Sequence, residues 1–220
     1  MKKIMNNKPH TNSSAIIASS IDVPNLENDF TNLMNKIEGL PLREIEVELD
    51  TIELIEKFGS KNNIKTTAMV NYPLGGYQAE YILESIRWAC EKKFDIICTS
   101  LPLFWLRSNE TSRIRDLIRE IISACGKKTL RISLESDSLS REELSSVCDL
   151  ICDAGISHLK SSCGFFQSTS TDDILFIRKN YPNLLLTVDN NLRGDSIEID
   201  NLLQLGVNYV CVKEPWLYHF

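Results

Sequence analysis

The sequence predicts an α/β fold, a single (β/α)8 TIM barrel, on three observations. Short apolar runs alternate with longer amphipathic segments, the order that builds a parallel sheet covered by helices. Eight such strand-like units occur in the 220 residues, which favours a sheet closed on itself over an open one. The composition, 43% hydrophobic and 25% charged, fits one domain with a sizeable core, and no Gly-x-Gly-x-x-Gly follows any strand.

Residues 1–14 are polar and Asn-rich, without the apolar stretch of a signal peptide, and read as a disordered lead-in to a domain over 15–220. The first strand is the run Ala15 to Ser20. An amphipathic helix from Asn25 to about Glu38 follows, with Phe30, Leu33, Met34 and Ile37 on one stripe. The second strand, Glu44 to Leu49, alternates Glu44, Glu46 and Glu48 with Ile45, Val47 and Leu49. Period two puts the carboxylates on one face. On an edge strand that face would be wet; in a barrel the aliphatic face packs on helices and at least one glutamate lies inside.

Asp50 and Glu53 form a capping box ahead of the next helix. Lys65 to Asn71 is the third strand, and Gly75-Gly76 opens a helix from about Tyr77 to Lys92. Asp95 to Ser100 is the fourth strand, and Ser108 or Asn109 starts a helix ending near Gly126. After the fifth strand, Leu130 to Glu135, Ser140 and Glu143 give a second capping box. A small-residue turn, Asp153-Ala154-Gly155, leads into the sixth strand, Ile156 to Leu159, and then Lys160. Ser170 to Asp173 opens a helix that ends before Pro182, and Leu184 to Val188 is the seventh strand. Asp195 caps a helix ending near Gly206, and Tyr209 to Lys213 is the eighth strand.

Net charge is −6 and the pI about 5.2, with no basic patch for nucleic acid and no apolar run long enough for a bilayer. The seven cysteines, Cys90, Cys98, Cys125, Cys148, Cys152, Cys163 and Cys211, include no Cys-x-x-Cys pair, and the histidines His10, His158 and His219 are scattered. No metal set is expected. Free thiols in a reducing cytoplasm are the better reading.

Chemistry concentrates at Lys160. A lysine at a strand end, facing the small residues Ser161-Ser162-Cys163-Gly164, is placed where barrels do chemistry, and a desolvated amine can form a Schiff base. The plain alternative is a surface lysine just past a strand.

The run Lys160-Ser161-Ser162-Cys163-Gly164 resembles the Lys-Thr-Ser-Thr-Gly-like run of the deoxyribose-phosphate aldolase family. Leu130 to Ser136 is similar to the family's fifth strand, Ser140-Arg141-Glu142-Glu143 to the start of its next helix, and Val70 to Gly76 to its loop after the third strand. The parallel runs from about Ile17 to Val212. The resemblance implies a class I aldolase without a cofactor, in which Lys160 forms an imine that acts as electron sink. A second lysine, an aspartate relay and a first-strand aspartate of the family correspond to Thr187, Cys98 and Ala18 here.

Replacement groups are Arg131, at a lysine position of the family, Glu135 on the same face of the fifth strand with Ser133 between, and Glu46. Arg131 would depress the Lys160 pKa, and Glu46 would act as general acid or base once its own pKa is raised. Arg131 and Glu135 read equally as a structural ion pair. His158 shares the inward face of Lys160 and reads as a hydrogen-bonded core histidine. In the family, Gly-rich turns after strands six to eight hold phosphate. Here Ser162 and Gly164 keep the first, Asn190-Asn191 replace the second, and Lys213-Glu214-Pro215 the third, with Tyr218 as counterpart of the family's terminal tyrosine.

The expected function is a lyase making or breaking a carbon–carbon bond next to a carbonyl. Its substrate is a small carbonyl compound, a sugar phosphate among the candidates, with weak or no turnover of deoxyribose 5-phosphate. Imine chemistry directed to dehydration or condensation is a variant of that reading. The alternative is a catalytically silent barrel acting as a binding or regulatory protein. A homodimer is compatible with either.

Overall fold

Strands covered by helices bury both faces, and period two gives each strand a lumen-facing and a helix-facing row. The computed structural model describes residues 15–19, 35, 36, 38–40, 42–49, 64–92, 94–163, 169–190 and 196–212. Within them the strands are β1 (Ile16–Ser19), β2 (Glu44–Glu48), β3 (Lys65–Val70), β4 (Ile96–Ser100), β5 (Thr129–Ser133), β6 (His158–Lys160), β7 (Leu185–Asn190) and β8 (Tyr209–Val212). The helices are α1 (Ala79–Glu91), α2 (Leu103–Arg107), α3 (Thr111–Cys125), α4 (Arg141–Asp153), α5 (Thr171–Asn180) and α6 (Ser196–Gln204). The strands run parallel in the order β1 to β8, and β8 closes on β1, so the expected (β/α)8 barrel is what forms.

The helix-facing row is apolar at most positions. Ile45 and Val47 of β2, Ala68 and Val70 of β3, and Ile132 of β5 pack into a layer shared with Ile86 of α1, Ile118 of α3 and Ile151 of α4. In α3 the buried residues Ile114, Leu117, Ile118, Ile121 and Cys125 recur at helical spacing on one stripe. The lumen-facing row holds buried charged residues. Glu44, Glu46, Thr67, Arg131, Lys160, Thr187 and Asp189 are all buried.

Local signals behave as the sequence implies at the helix starts. Glu143 N donates to Ser140 Oγ at 3.2 Å and Ser140 N to Glu143 Oε2 at 2.6 Å, the capping box of α4. Asp173 N donates to Ser170 Oγ at 3.1 Å at the start of α5. Between β3 and α1, Gly75 has φ +70°, and a Cβ there would lie 2.4 Å from the Leu101 carbonyl carbon, so only glycine lets this loop press onto the end of β4.

Four expectations need correction. The segment after β4 first turns through the short α2, and α3 begins only at Thr111. β5 stops at Ser133; a 3-10 turn over Ser136–Ser138 follows, so Glu135 has left the strand face. Ala18 belongs to the apolar layer, and Ile17 takes the register position beside Glu44. His158 is half-buried and packs 6.1 Å from the Tyr209 ring, and its Nε2 has no hydrogen-bond partner among the described residues. Burial, with Arg131 nearby, lowers its pKa to about 4, which keeps it neutral. The lead-in 1–14, the helix expected from Asn25, the Asp50–Glu53 box, Asp195 and Tyr218 lie outside the described residues, apart from fragments of that helix at 35, 36 and 38. Among the described residues no helix is long and apolar enough to cross a membrane.

Candidate active site

Lys160 ends β6 and is fully buried inside the barrel. A charged amine is almost never buried without partners, and this one has several. Its Nζ lies 2.5 Å from Glu46 Oε2, 3.5 Å from Asp189 Oδ2 and 3.8 Å from Cys211 Sγ. The partners come from β2, β7 and β8, strands that sequence separation scatters and closure brings together. Cys211 Sγ also donates to Glu46 Oε2 at 3.1 Å.

Arg131 spans from β5 to β2. Nη1 and Nη2 grip Glu44 through both oxygens, at 2.7 and 2.9 Å, in the parallel two-pronged geometry that suits a guanidinium. Nη1 also reaches Glu46 Oε1 at 2.8 Å. Thr67 Oγ1 donates to Glu44 Oε1 at 2.5 Å. Glu46 therefore sits between two cations, Arg131 on one oxygen and Lys160 on the other, and three buried carboxyl groups, Glu44, Glu46 and Asp189, face those two cations.

The charges set the protonation states. Burial alone would raise the Glu46 carboxyl, but Lys160 and Arg131 outweigh it and hold it below its ordinary value. Burial alone would lower Lys160, yet the groups around it hold it well above the usual lysine range. Of these, Glu46 and Asp189 carry the effect, because burial and Glu46 push the Cys211 thiol far up and keep it neutral. Cys98 lies next to Arg131 in register, and burial with Glu46 pushes it to about 12. The sequence expectations of a depressed Lys160 and a raised Glu46 are both corrected: the Arg131 charge is met by Glu44 and Glu46, and Lys160 feels carboxyls instead.

Glu135, beyond β5, does not pair with Arg131. It accepts from the Cys163 backbone N at 2.8 Å and from the Cys163 thiol. Burial raises its pKa more than those hydrogen bonds lower it. Ser162 is buried in the turn after Lys160, and Thr187 stands beside Lys160 in register. Asn190 is the last residue of β7; its side chain, and all of Gly164, Asn191 and Lys213, lie outside the described residues. Sequence reasoning reached Asp189 only as a candidate partner of Lys213, and missed its place beside Lys160, as well as Cys211 and the Glu44–Arg131 grip. Counting by two from Thr187 would have put Asp189 on the lumen row.

A separate cleft of about 670 Å³ is lined by Tyr77, Phe104, Trp105 and Arg113 among others, and by none of the ionic cluster.

No family model matches the chain. A deoxyribose-phosphate aldolase of Mycoplasmopsis synoviae is 28% identical over 127 residues, which span 57% of this chain and 56% of that protein. One of Mycoplasma capricolum is 25% identical over 158 residues, 71% of each chain. A solved structure described as an aldolase superposes with a TM-score of 0.84 at 16% identity, covering 96% of this chain and 95% of that one, a likeness of fold. Over these spans the chain is similar in sequence to curated deoxyribose-phosphate aldolases, and in fold it is similar to a solved aldolase.

Proposed function

We propose that the chain is a class I aldolase-like lyase, in which Lys160 forms an imine with a small carbonyl substrate and the imine draws electrons from a breaking or forming carbon–carbon bond. The observation that carries this reading is a fully buried lysine at a barrel strand end, held as a cation by Glu46 and Asp189.

Imine formation conserves the charge of that cage. The Lys160 ammonium passes one proton to a carboxylate, and its nitrogen lone pair attacks the carbonyl carbon. The π pair moves to oxygen, which takes that proton. The nitrogen then gives up a second proton to the same carboxylate. On dehydration this proton goes to the departing hydroxyl, which leaves as water while the nitrogen lone pair completes the iminium. One cation is consumed and one is made, so groups that stabilise the ammonium also stabilise the iminium.

Asp189 is assigned as the carboxylate that shuttles the proton. Glu46, held by Arg131 as well as Lys160, is poorly suited to become an acid and serves as the fixed counter-charge, with Arg131 and Glu44 holding it in place. The 3.5 Å contact to Asp189 is long, as contacts in unliganded sites commonly are. Cys98, as a neutral thiol, contributes shape and not charge.

The test is reductive trapping with borohydride after incubation with acetaldehyde or hydroxyacetone, read by intact mass and peptide mapping. An adduct on Lys160 is expected, lost in Lys160→Ala, with any carbon–carbon bond turnover falling at least ~10³-fold. Absence of an adduct across small aldehydes and ketones would leave Lys160 as a structural ion-pair partner in a silent barrel.

A further inference from the structure

Lys160 stands in a row of hydroxyls. Ser100 of β4 pairs in register with Ser133 of β5, Ser133 with Lys160, and Lys160 with Thr187 of β7. Register partners on parallel strands share a face, so all three hydroxyls lie on the lumen row with the lysine. At strand spacings of about 4.8 Å, Ser133 and Thr187 flank it directly and Ser100 stands one strand further on.

All three side chains are buried, at 2%, 0% and 0% exposure for Ser100, Ser133 and Thr187, and none of their oxygens has a hydrogen-bond partner among the described residues. Buried hydroxyls left without partners cost free energy, and native interiors contain few. Nearby hydroxyls are satisfied: Ser161 bonds Thr169 at 2.7 Å, and Thr67 bonds Glu44. Two other buried hydroxyls lack partners among the described residues, Thr99 and Ser136. Thr99 pairs in register with Ile132 on the helix-facing row, and Ser136 lies beyond β5. Among the described residues, the unsatisfied hydroxyls of the lumen row are thus gathered around Lys160.

A hydroxyl both donates and accepts. The complement of three around one amine is a carbonyl compound with hydroxyls close to the carbon that the amine attacks. That end of the ligand carries no negative charge, because among the described residues the carboxyls Glu44, Glu46 and Asp189 outnumber the cations they meet there, Arg131 and Lys160. Resting on the imine reading above, we propose that Ser100, Ser133 and Thr187 form a hydroxyl-reading subsite, and that the substrate is a neutral-ended aldehyde or ketone hydroxylated on the carbon next to its carbonyl.

The experiment measures second-order rates of adduct formation, with cyanoborohydride supplying the hydride, for hydroxyacetone against acetone and glycolaldehyde against acetaldehyde. Reductive amination of Nα-acetyl-lysine under the same conditions gives the intrinsic preference. The wild-type protein is expected to favour the hydroxylated member of each pair by about tenfold or more beyond that intrinsic ratio, the discrimination of about one good hydrogen bond. Ser133→Ala and Thr187→Val are each expected to reduce the excess severalfold. A wild-type ratio equal to that of the free amine overturns the subsite without needing any variant. So does a ratio that survives both substitutions in proteins of wild-type circular dichroism. No adduct with any of the four probes removes the imine reading itself, and the subsite with it.

Discussion

Two carboxylates reach the Lys160 ammonium from different strands, and they are held differently. Glu46 shares its charge with Arg131 and accepts from Cys211, whereas Asp189 approaches Lys160 from β7, with Cys211 beside it in register. Among the described residues, the other charged or titratable groups of this cluster are Glu44, Arg131, Cys98, His158 and, beyond the strand end, Glu135. Replacing Asp189 by Asn separates two roles by sign. If Asp189 only steadied the ammonium, its loss would lower the Lys160 pKa and speed attack near neutrality. As a proton acceptor, its loss slows attack. We expect Asp189→Asn to slow borohydride-trapped adduct formation at about pH 7 by at least ~10-fold, to make the rate climb steeply with pH, and to be partly rescued in Asp189→Glu. A faster Asp189→Asn protein would refute the shuttle. Lys160 was legible in the sequence because it ends an apolar run and faces small residues. Asp189 was legible only as a candidate partner of Lys213, because the sequence does not show that closure brings the end of β7 beside Lys160. Arg131 and its partners lie 85 and 87 residues apart, so no local pattern could pair them.

Strands and helices were legible where a period governs them. β2 declares itself by alternating carboxylates and aliphatics, and α4 by its capping box. Legibility ended where the chain stops obeying a period. Counting by two past Ser133 put Glu135 on the strand face, although the backbone is already turning there, and the five-residue α2 is too short to show an amphipathic stripe. The Arg131 strut is a property of two elements, since it ties β5 to β2 across the lumen. Removing one partner from a buried ion-pair network leaves uncompensated charge and typically costs about 3–5 kcal/mol. Arg131→Met should destabilise the barrel by that order in urea unfolding, because Glu44 would keep only the Thr67 hydroxyl as a side-chain donor among the described residues. Adding Glu44→Gln should recover a good part of the loss. A cost below ~1 kcal/mol for Arg131→Met would mean that solvent already reaches the network.

At the scale of the whole molecule, closure was readable from eight strand–helix units, but what closure encloses was not. A barrel interior takes one row from every strand, and its charge pairing depends on stagger around the sheet, which no single segment encodes. Closure also buries thiols that an unfolded chain would expose, and this fixes how stability responds to alkali. Cys98 in the lumen and Cys148 on α4 are both buried, and burial pushes each from 9.0 to about 12. Their folded pKa values lie above the unfolded ones, so the folded protein keeps protons that the unfolded chain releases first. Their contribution is intact below the ordinary thiol pKa and is lost as pH rises from about 9 toward about 12. Between about pH 8 and about pH 10 each thiol should cost about 1 kcal/mol, so the pair costs roughly 2–3 kcal/mol. Urea unfolding under reductant, at both pH values, checks this against a Cys98→Ala/Cys148→Ala protein. The double variant starts from lower stability, yet its loss between the two pH values should be smaller than that of the wild type by about that amount. Equal losses would show that these thiols are not held neutral by the fold, and that the lumen around Cys98 is wetter than its burial implies.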